Sequence, residues 1–189
     1  MKRLFIATRV ELAPEFRELN RQLQYALRHD DIVWVKEDVR HLTLRFLGAT
    51  PDTKIPELKS ALAEVCANHQ PFQLEINKMG AFGSHYKPEV LWLGFQEFQL
   101  FKDLHMDLEP RLQTLGFEPY YGNFVPHITL CRVKQVVNKQ RFWKAVESLQ
   151  PDFSQSLPIA ELTLYQSFLH KEGPEYKALA TYPLQPFTK

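Results

Sequence analysis

The hydrophobic pattern of the first half of the chain predicts strands and helices in alternation. Apolar residues at Phe16, Leu19, Leu23 and Leu27 recur at the spacing of one helix face, and Pro14 stands where a helix can begin. The pattern therefore predicts a helix over residues 15–28. The other elements predicted in this half are strands over residues 3–8, 32–35, 40–47 and 72–77 and a helix near residues 55–67.

The second half of the chain repeats this order of elements. Its long helix, predicted over residues 98–115, contains Pro110, which costs about 3 kcal/mol inside a helix and predicts a kink or a break there. Residues 78–89 are rich in turn-forming and polar types and are predicted to form the loop that crosses between the halves. The other predicted elements are strands over residues 90–95, 159–166 and 176–182, a strand at His127 and a helix near residues 138–149.

A pattern of four residues occurs twice, once in each half. The copies are His41-Leu42-Thr43-Leu44 and His127-Ile128-Thr129-Leu130. In a chain with 7 His among 189 residues, such a run is expected roughly 0.06 times by chance. Side chains alternate faces along a strand, so the His and Thr of each copy share one face and the apolar residues anchor the other. The repeat predicts one bipartite site.

The spacing of the two halves indicates a duplication. Leu4 precedes His41 by 37 residues, and Trp92, at a similar place in its strand, precedes His127 by 35. A pseudo-two-fold axis between such halves would set the two His-bearing strands face to face across a central groove. We therefore expect one domain over residues 1–189, with lobes of approximately 1–78 and 90–189, and leave open an exchange of elements between them.

Composition limits the classes of protein that are compatible with the chain. Its 189 residues, 44% of them hydrophobic, can bury a core, and the net charge of +1 gives no field for a long nucleic acid. Any contact with nucleic acid should be at an end. The first apolar stretch is too short for a signal peptide or a membrane span, so we expect a cytoplasmic monomer without membrane or protein partners. Cys66 and Cys131 are expected to be free thiols.

Two histidines with two hydroxyls favour acid–base chemistry over metal or nucleophilic catalysis. A zinc site needs three or four donors, and the motifs offer no further ligand except Cys131. The chain has no Gly-x-Ser-x-Gly elbow, Walker loop or dinucleotide-binding glycine run. One neutral and one protonated imidazole, with an ordinary pKa of about 6.5, can share base and acid roles near neutral pH. Such a pair suits the opening of a phosphodiester without a metal or other cofactor.

These residues resemble those of the two-histidine phosphoesterases, in particular RNA 2′,3′-cyclic phosphodiesterases of the LigT/ThpR type. Beyond the motifs, the resemblance includes Arg3-Leu4-Phe5-Ile6-Ala7, Val90-Leu91-Trp92-Leu93-Gly94, and Leu164-Tyr165-Gln166-Ser167 with Gly173 and Tyr176. It implies a bilobal, duplicated α+β fold in which two antiparallel sheets flank a central groove and the helices lie outside. It also implies hydrolysis of the 2′,3′-cyclic phosphate at an RNA end to a 2′-phosphomonoester.

The resemblance assigns roles to the four polar motif residues. His41 would donate a proton to the leaving 3′-oxygen, and His127 would accept a proton from the attacking water. Thr43 and Thr129 would hold the non-bridging phosphate oxygens, where charge develops in the transition state.

Four further residues are candidates for substrate binding. Arg45 shares the presented face with His41, which leaves open a phosphate contact or a solvated strand charge. Arg132 falls on the opposite face by strict alternation, unless a bulge or the strand end turns it back. Phe5 and Phe168 would offer a stacking face to the terminal base, with packing in the core as the alternative.

The sequence leaves the substrate open. Many relatives carry an arginine where this chain has Glu89, with Lys87 two residues earlier, so binding of the substrate end by this loop is not implied. The same chemistry would serve small cyclic nucleotide phosphates or 2′,5′-linked oligonucleotides, the latter as a reversible 2′,5′ RNA ligase-type activity. A non-catalytic module that binds RNA ends is a further alternative, against which the two intact motifs argue.

Overall fold

An antiparallel sheet with helices packed against its apolar face forms the protein in the computed structural model, which describes residues 1–170 and 173–185. The predicted α+β class is confirmed. The strands are β1 (Lys2–Arg9), β2 (Asp31–Trp34), β3 (His41–Thr50), β4 (Phe72–Gly83), β5 (Pro88–Phe95), β6 (His127–Gln135), β7 (Gln155–Ile159), β8 (Glu161–His170) and β9 (Gly173–Pro183). The helices are α1 (Pro14–Ala26), α2 (Ile55–Ala67), α3 (Gln99–Thr114) and α4 (Lys139–Ser148).

Neighbouring strands come from different halves of the sequence. Their order is β7-β4-β5-β6-β3-β1-β8-β9, and β2 pairs with β6 outside this path. β8 and β9, from the end of the chain, lie beside β1, whereas β4, from the first half, lies between β5 and β7. Each side of the sheet thus contains strands from both halves, and the two sides are joined where β3 meets β6. The predicted second lobe also includes residues 171–172 and 186–189, which lie outside the described residues.

The core lies between the helices and the apolar face of the sheet. The apolar motif residues Leu42, Leu44, Ile128 and Leu130 are at most 2% exposed and belong to this core. α1 adds the apolar stripe predicted from its spacing, which includes Phe16. Burial of each such side chain contributes about 1.5–3 kcal/mol, so the alternation along β3 and β6 is strongly held. The His and Thr of both motifs are left on the opposite face of the sheet.

The predicted crossing loop over residues 78–89 is wrong. β4 continues to Gly83 and pairs with β5 in a hairpin, whose turn is closed by mutual backbone hydrogen bonds between Ser84 and Lys87. Gly83 has φ +96°, a conformation that side chains with a Cβ rarely adopt. Polar and glycine residues that resemble a loop in the sequence therefore form a strand end and a tight turn.

Of the kink or break predicted at Pro110, the break does not occur, because α3 continues through the proline as one helix of 16 residues. Leu104, Leu108 and Leu112, before and after the proline, are each fully buried, so packing offsets the missing hydrogen bond. Among the residues that the structure describes, no helix is both long and apolar enough to cross a bilayer. β7, a short strand that pairs with β4 and buries Leu157 and Ile159, was not predicted.

A β-bulge interrupts the alternation of β3 at Leu44, the last residue of its motif. Thr43 pairs with Ala7 of β1, but Arg45 pairs with the adjacent Ile6, so β3 has one extra residue at this point. The extra residue shifts the side chains that follow it to the other face, up to a second irregularity of the pairing at Leu47. Arg45 therefore turns away from the motif face, and Phe46 takes its place there.

β6 has a bulge at the equivalent point of the second motif. Thr129 pairs with Trp92 of β5, and Cys131 pairs with the adjacent Leu91. The next residue, Arg132, is thereby turned onto the face of the motif histidine. Arg132 and Phe46 each follow their histidine by five residues, which makes them equivalent positions of the two halves.

The ring of Trp92 lies against two glycines of the sheet. A Cβ on Gly94 would come within 2.7 Å of the Trp92 ring, and a Cβ on Gly80 of β4 would overlap it. The ring is 7% exposed and lies 5.2 Å from Phe82 and 6.4 Å from His127, between ring centres. The missing side chains of the glycines make room for the indole beneath His127.

We predict that Gly80→Ala displaces the Trp92 ring and lowers the free energy of unfolding by about 1–3 kcal/mol, as in other overpacked sites. Chemical denaturation and Trp fluorescence would measure both effects. Combining Gly80→Ala with Trp92→Leu, which frees the space, should give less destabilisation than the sum of the two single changes. Additive effects in the double variant would contradict this account of the glycine.

Candidate active site

A backbone pair between the motif strands brings the two motifs together. Leu42 of β3 pairs with Ile128 of β6 in antiparallel register, and both side chains are fully buried. In such a register, the residues before and after one partner lie opposite those after and before the other. The four polar motif residues therefore gather around this pair on the groove face: His41 beside Thr129, and Thr43 beside His127.

Each motif imidazole is oriented by the backbone carbonyl two residues before it. Nδ1 of His41 lies 2.8 Å from the Val39 oxygen, and Nδ1 of His127 lies 2.9 Å from the Val125 oxygen. With the Nδ1–H donating to this carbonyl, Nε2 of the neutral ring carries the lone pair. In both motifs Nε2 is therefore the atom available to take up or release a proton in the groove.

Aromatic rings fix the two imidazoles from the side. The His41 ring lies 5.0 Å from Phe5 and 5.1 Å from Tyr176, edge-on to the latter. The His127 ring lies edge-on to Phe82 at 4.7 Å. These contacts leave each ring little freedom to turn, and they also remove water from around it.

Burial lowers the pKa of both imidazoles below the ordinary value of histidine. For His41, burial is the largest cause, and the charges of His127 and Arg132 lower the pKa further. Burial is also the largest cause of the lowered pKa of His127, and Arg132 again contributes. The backbone carbonyls oppose both shifts by accepting a bond from the protonated ring. Protonation of either imidazole is therefore unfavourable unless an anion lies in the groove.

The motif residues line one cavity of about 600 Å³, called the groove below. A cavity of this volume accommodates a ligand of nucleotide size. Arg132 and Phe5, two of the four predicted substrate-binding residues, also line it. Arg132 is exposed there, so its guanidinium is free to meet an anion, whereas Phe5 is 2% exposed and supports His41 from below.

Arg45 lies outside the groove. Its Nε donates to Glu109 Oε1 of α3 at 2.6 Å, and one terminal nitrogen donates to the Glu118 carbonyl at 2.6 Å. The bulge in β3 is the physical reason, because it turns Arg45 towards the helices. Both alternatives considered for Arg45, a phosphate contact and a solvated charge, give way to a half-buried ion pair.

Phe168 and Glu89 do not line the groove either. Phe168 stacks on His170 at 6.4 Å, while its neighbours Ser167 and Leu169 line the groove. Glu89 pairs with Lys87 at 3.6 Å on the outer end of the β4–β5 hairpin. A stacking role for Phe168 in this site therefore has no support from its position.

Several residues at the site have no role predicted from the sequence. Tyr176 and Arg3 line the groove, and Phe82 packs against His127. Burial raises the pKa of Tyr176, and the charges of Arg132 and Arg3 oppose that shift. Arg3 could have been found from the alternation of β1, which places it on the same face as Phe5. Phe82 lies within residues 78–89, which the sequence predicts to be a loop, so the alternation of a strand was not applied to it.

The donors of the groove suit an anion. Two imidazoles, two hydroxyls and the Arg132 guanidinium can all donate hydrogen bonds to phosphate oxygens. Among residues 1–170 and 173–185, no group of three or more His, Cys, Asp or Glu is placed to hold a metal ion. Cys131 is free and buried, and burial raises the pKa of its thiol to about 12, so it is not a thiolate nucleophile.

Comparison with known proteins places these features in a family. A family model described as LigT like phosphoesterase matches residues 7–92 and 96–176. An RNA 2′,3′-cyclic phosphodiesterase of Geobacillus stearothermophilus is 34% identical over 158 residues, which are 80% of this chain but 47% of that protein. Another, from Methanothermobacter thermautotrophicus, is 28% identical over 184 residues, 96% of this chain and 98% of that protein. A crystal structure from Thermus thermophilus superposes with a TM-score of 0.77 at 25% identity, covering 96% of this chain and 97% of that one.

We predict that Arg132→Gln raises the pKa of both motif histidines, because it removes a positive charge that lowers them. An NMR titration of the imidazole resonances would measure the two values. Lys134→Gln is the matched control, since Lys134 carries the same charge two residues further along β6 and does not line the groove. Equal shifts in both variants would show that Arg132 does not act locally.

Proposed function

Because the chain belongs to the LigT-like phosphoesterase family, we propose that it is an RNA 2′,3′-cyclic phosphodiesterase. The observation that carries the proposal is the meeting of both His-x-Thr motifs in one groove around the Leu42–Ile128 pair. The names of the relatives support the substrate, and the proposed product is a 2′-phosphomonoester. We propose a cytoplasmic monomer. The free, buried thiols of Cys66 and Cys131 support a reducing compartment.

The proposed reaction uses the two imidazoles in opposite protonation states. Neutral His127 takes a proton from water through Nε2, and the water oxygen forms a bond to phosphorus. Protonated His41 gives its Nε2 proton to the 3′-oxygen as the phosphorus–oxygen bond breaks. The products are a 2′-phosphomonoester and a free 3′-hydroxyl, and the two histidines exchange their protons with solvent before the next turnover.

Hydrogen-bond donors stabilise the charge that develops on the phosphate. Thr43 and Thr129 lie next to the opposite histidine across the strand pair, so their hydroxyls can reach the two non-bridging oxygens. Arg132 supplies a full positive charge at the same groove. The anionic substrate in turn favours the protonated imidazole, which burial alone disfavours.

Other functions are compatible with this site. Small cyclic nucleotide phosphates carry the same cyclic phosphate, and 2′,5′-linked oligonucleotides carry an open phosphodiester at the 2′-oxygen. A binding module would retain the groove without turnover. Both imidazoles keep the carbonyl bond that frees Nε2 for proton transfer, which favours an active enzyme over a binding module.

We predict that the purified protein opens the cyclic phosphate of an oligonucleotide in EDTA at an unchanged rate and forms only the 2′-phosphomonoester. His41→Ala and His127→Ala should each lower kcat/KM by about 10²–10⁴-fold, since each removes one proton transfer. The double variant should be little worse than the worse single one. Product isomers are resolved by ³¹P NMR.

His29→Ala serves as the control for this prediction, because His29 is exposed and outside the groove. Its kcat/KM should equal that of the wild type. Full activity in either motif variant, or formation of the 3′-phosphomonoester, would contradict the proposed mechanism.

We predict a bell-shaped dependence of kcat/KM on pH, with its maximum below pH 6.5. The active form has one protonated and one neutral imidazole, and the pKa of both is lowered from 6.5 by burial. Because the bound phosphate anion raises the pKa of both imidazoles, the maximum of kcat should lie at higher pH than that of kcat/KM. A maximum of kcat/KM above pH 7 would contradict the charge balance described here.

A further inference from the structure

A second cavity, called the α1 cavity, lies behind one wall of the groove. It measures about 480 Å³ and is bounded by the polar face of α1 and the segment between β2 and β3. Its lining residues are Arg17, Asn20, Arg21, Gln24, residues 34–37 and Arg40. Trp34, Val35, Lys36 and Arg40 line both cavities, so the two are separated by one shared wall.

The charge of Arg40 at this wall is poorly compensated. Its side chain is 2% exposed, and its Nε has no hydrogen-bond partner in the described part of the chain. Glu37 lies 3.5 Å from one terminal nitrogen but is itself 61% exposed. Burial is the largest cause that lowers the pKa of Arg40, and Arg17 adds repulsion. A buried guanidinium with one weak ion pair fits an anion that would complete its hydrogen bonds.

The other groups of the α1 cavity are also suited to an anion. Within residues 1–170 and 173–185, Arg17 and Lys36 make no ion pair, whereas Arg21 is paired with Glu18 at 2.7 Å. Asn20 is 5% exposed, and its Oδ1 has no partner there. Its amide can turn about χ2 to present the NH₂ donors instead. The cavity thus has positive charges in excess of the negative charge of Glu37.

We propose that the α1 cavity binds the phosphodiester on the 5′ side of the terminal nucleotide while the cyclic phosphate occupies the groove, an inference that rests on the proposed function. The forked guanidinium of Arg40 matches the two non-bridging oxygens of a diester. Because the two cavities share lining residues and are therefore adjacent, the α1 cavity suits the next phosphate of the RNA chain better than a more distant one. The substrate class is then an RNA end of at least two nucleotides.

The test compares kcat/KM for three substrates: a mononucleoside 2′,3′-cyclic phosphate, a dinucleotide with the same cyclic end, and that dinucleotide with an uncharged methylphosphonate linkage. The wild type should prefer the charged dinucleotide by about 10-fold or more, as expected for a charge-assisted contact. The methylphosphonate should lose this preference. Arg17→Gln and Arg40→Met should lose most of it too, with no further loss on the methylphosphonate.

Controls separate the outcomes of this test. Arg28→Gln removes a charge just after α1, outside both cavities, and should keep the full preference. Arg17 is exposed, so Arg17→Gln tests the cavity even where Arg40→Met unfolds. A charge-dependent preference that survives in folded Arg17→Gln would overturn the inference. So would a preference retained by the methylphosphonate, which would assign it to the second nucleoside.

Failure of the proposed function is distinguishable from failure of the inference. If the wild type hydrolyses none of the three substrates, both are overturned; if it hydrolyses all three equally, only the inference is. A free phosphate ion has the same chemistry as the diester and is the other candidate ligand of the α1 cavity. Tighter binding of inorganic phosphate by the wild type than by Arg17→Gln, with equal dinucleotide preference in both, would assign the cavity to that ion and overturn the strand assignment.

Discussion

The backbone pairing of Leu42 with Ile128 is the constraint on which the site depends. Each is the central apolar residue of its motif, and each is fully buried beneath the sheet. A slip of one residue in either strand would turn the His and Thr of that strand into the core and its two apolar motif residues into water. The hydrophobic energy that holds these two residues therefore also fixes the position of the four polar residues on the groove face.

The motifs and the alternation of their strands could be predicted because both are local properties of the sequence. The orientation of Arg45 and Arg132 could not, since one extra residue in each strand reverses the face of the residues that directly follow it. A bulge depends on pairing with a distant strand, and so does the exchange of β4 with β8 and β9 between the halves. The continuation of α3 through Pro110 depends on packing against distant parts of the chain. Tyr176 reaches His41 only through this long-range pairing.

The electrostatics of the groove follow from the same arrangement. Both imidazoles lie in the groove near the guanidinium of Arg132, whose charge lowers the pKa of both, and the charge of His127 lowers the pKa of His41 further. An anionic phosphate relieves that repulsion and provides acceptors for the donors around it. Burial makes the protonated imidazole unfavourable, and the anionic substrate removes that cost. The groove therefore prefers the substrate, and most of all the transition state, in which the negative charge is spread over the oxygens.

The most direct test of a single bipartite site is a crystal structure with a nucleoside vanadate complex, whose five-coordinate centre imitates the transition state. A single bipartite site predicts apical oxygens at hydrogen-bond distance from Nε2 of His41 and of His127, one on each side. It also predicts equatorial oxygens bound by the Thr43 and Thr129 hydroxyls. Vanadate held by one motif alone, or bound outside the groove, would contradict it.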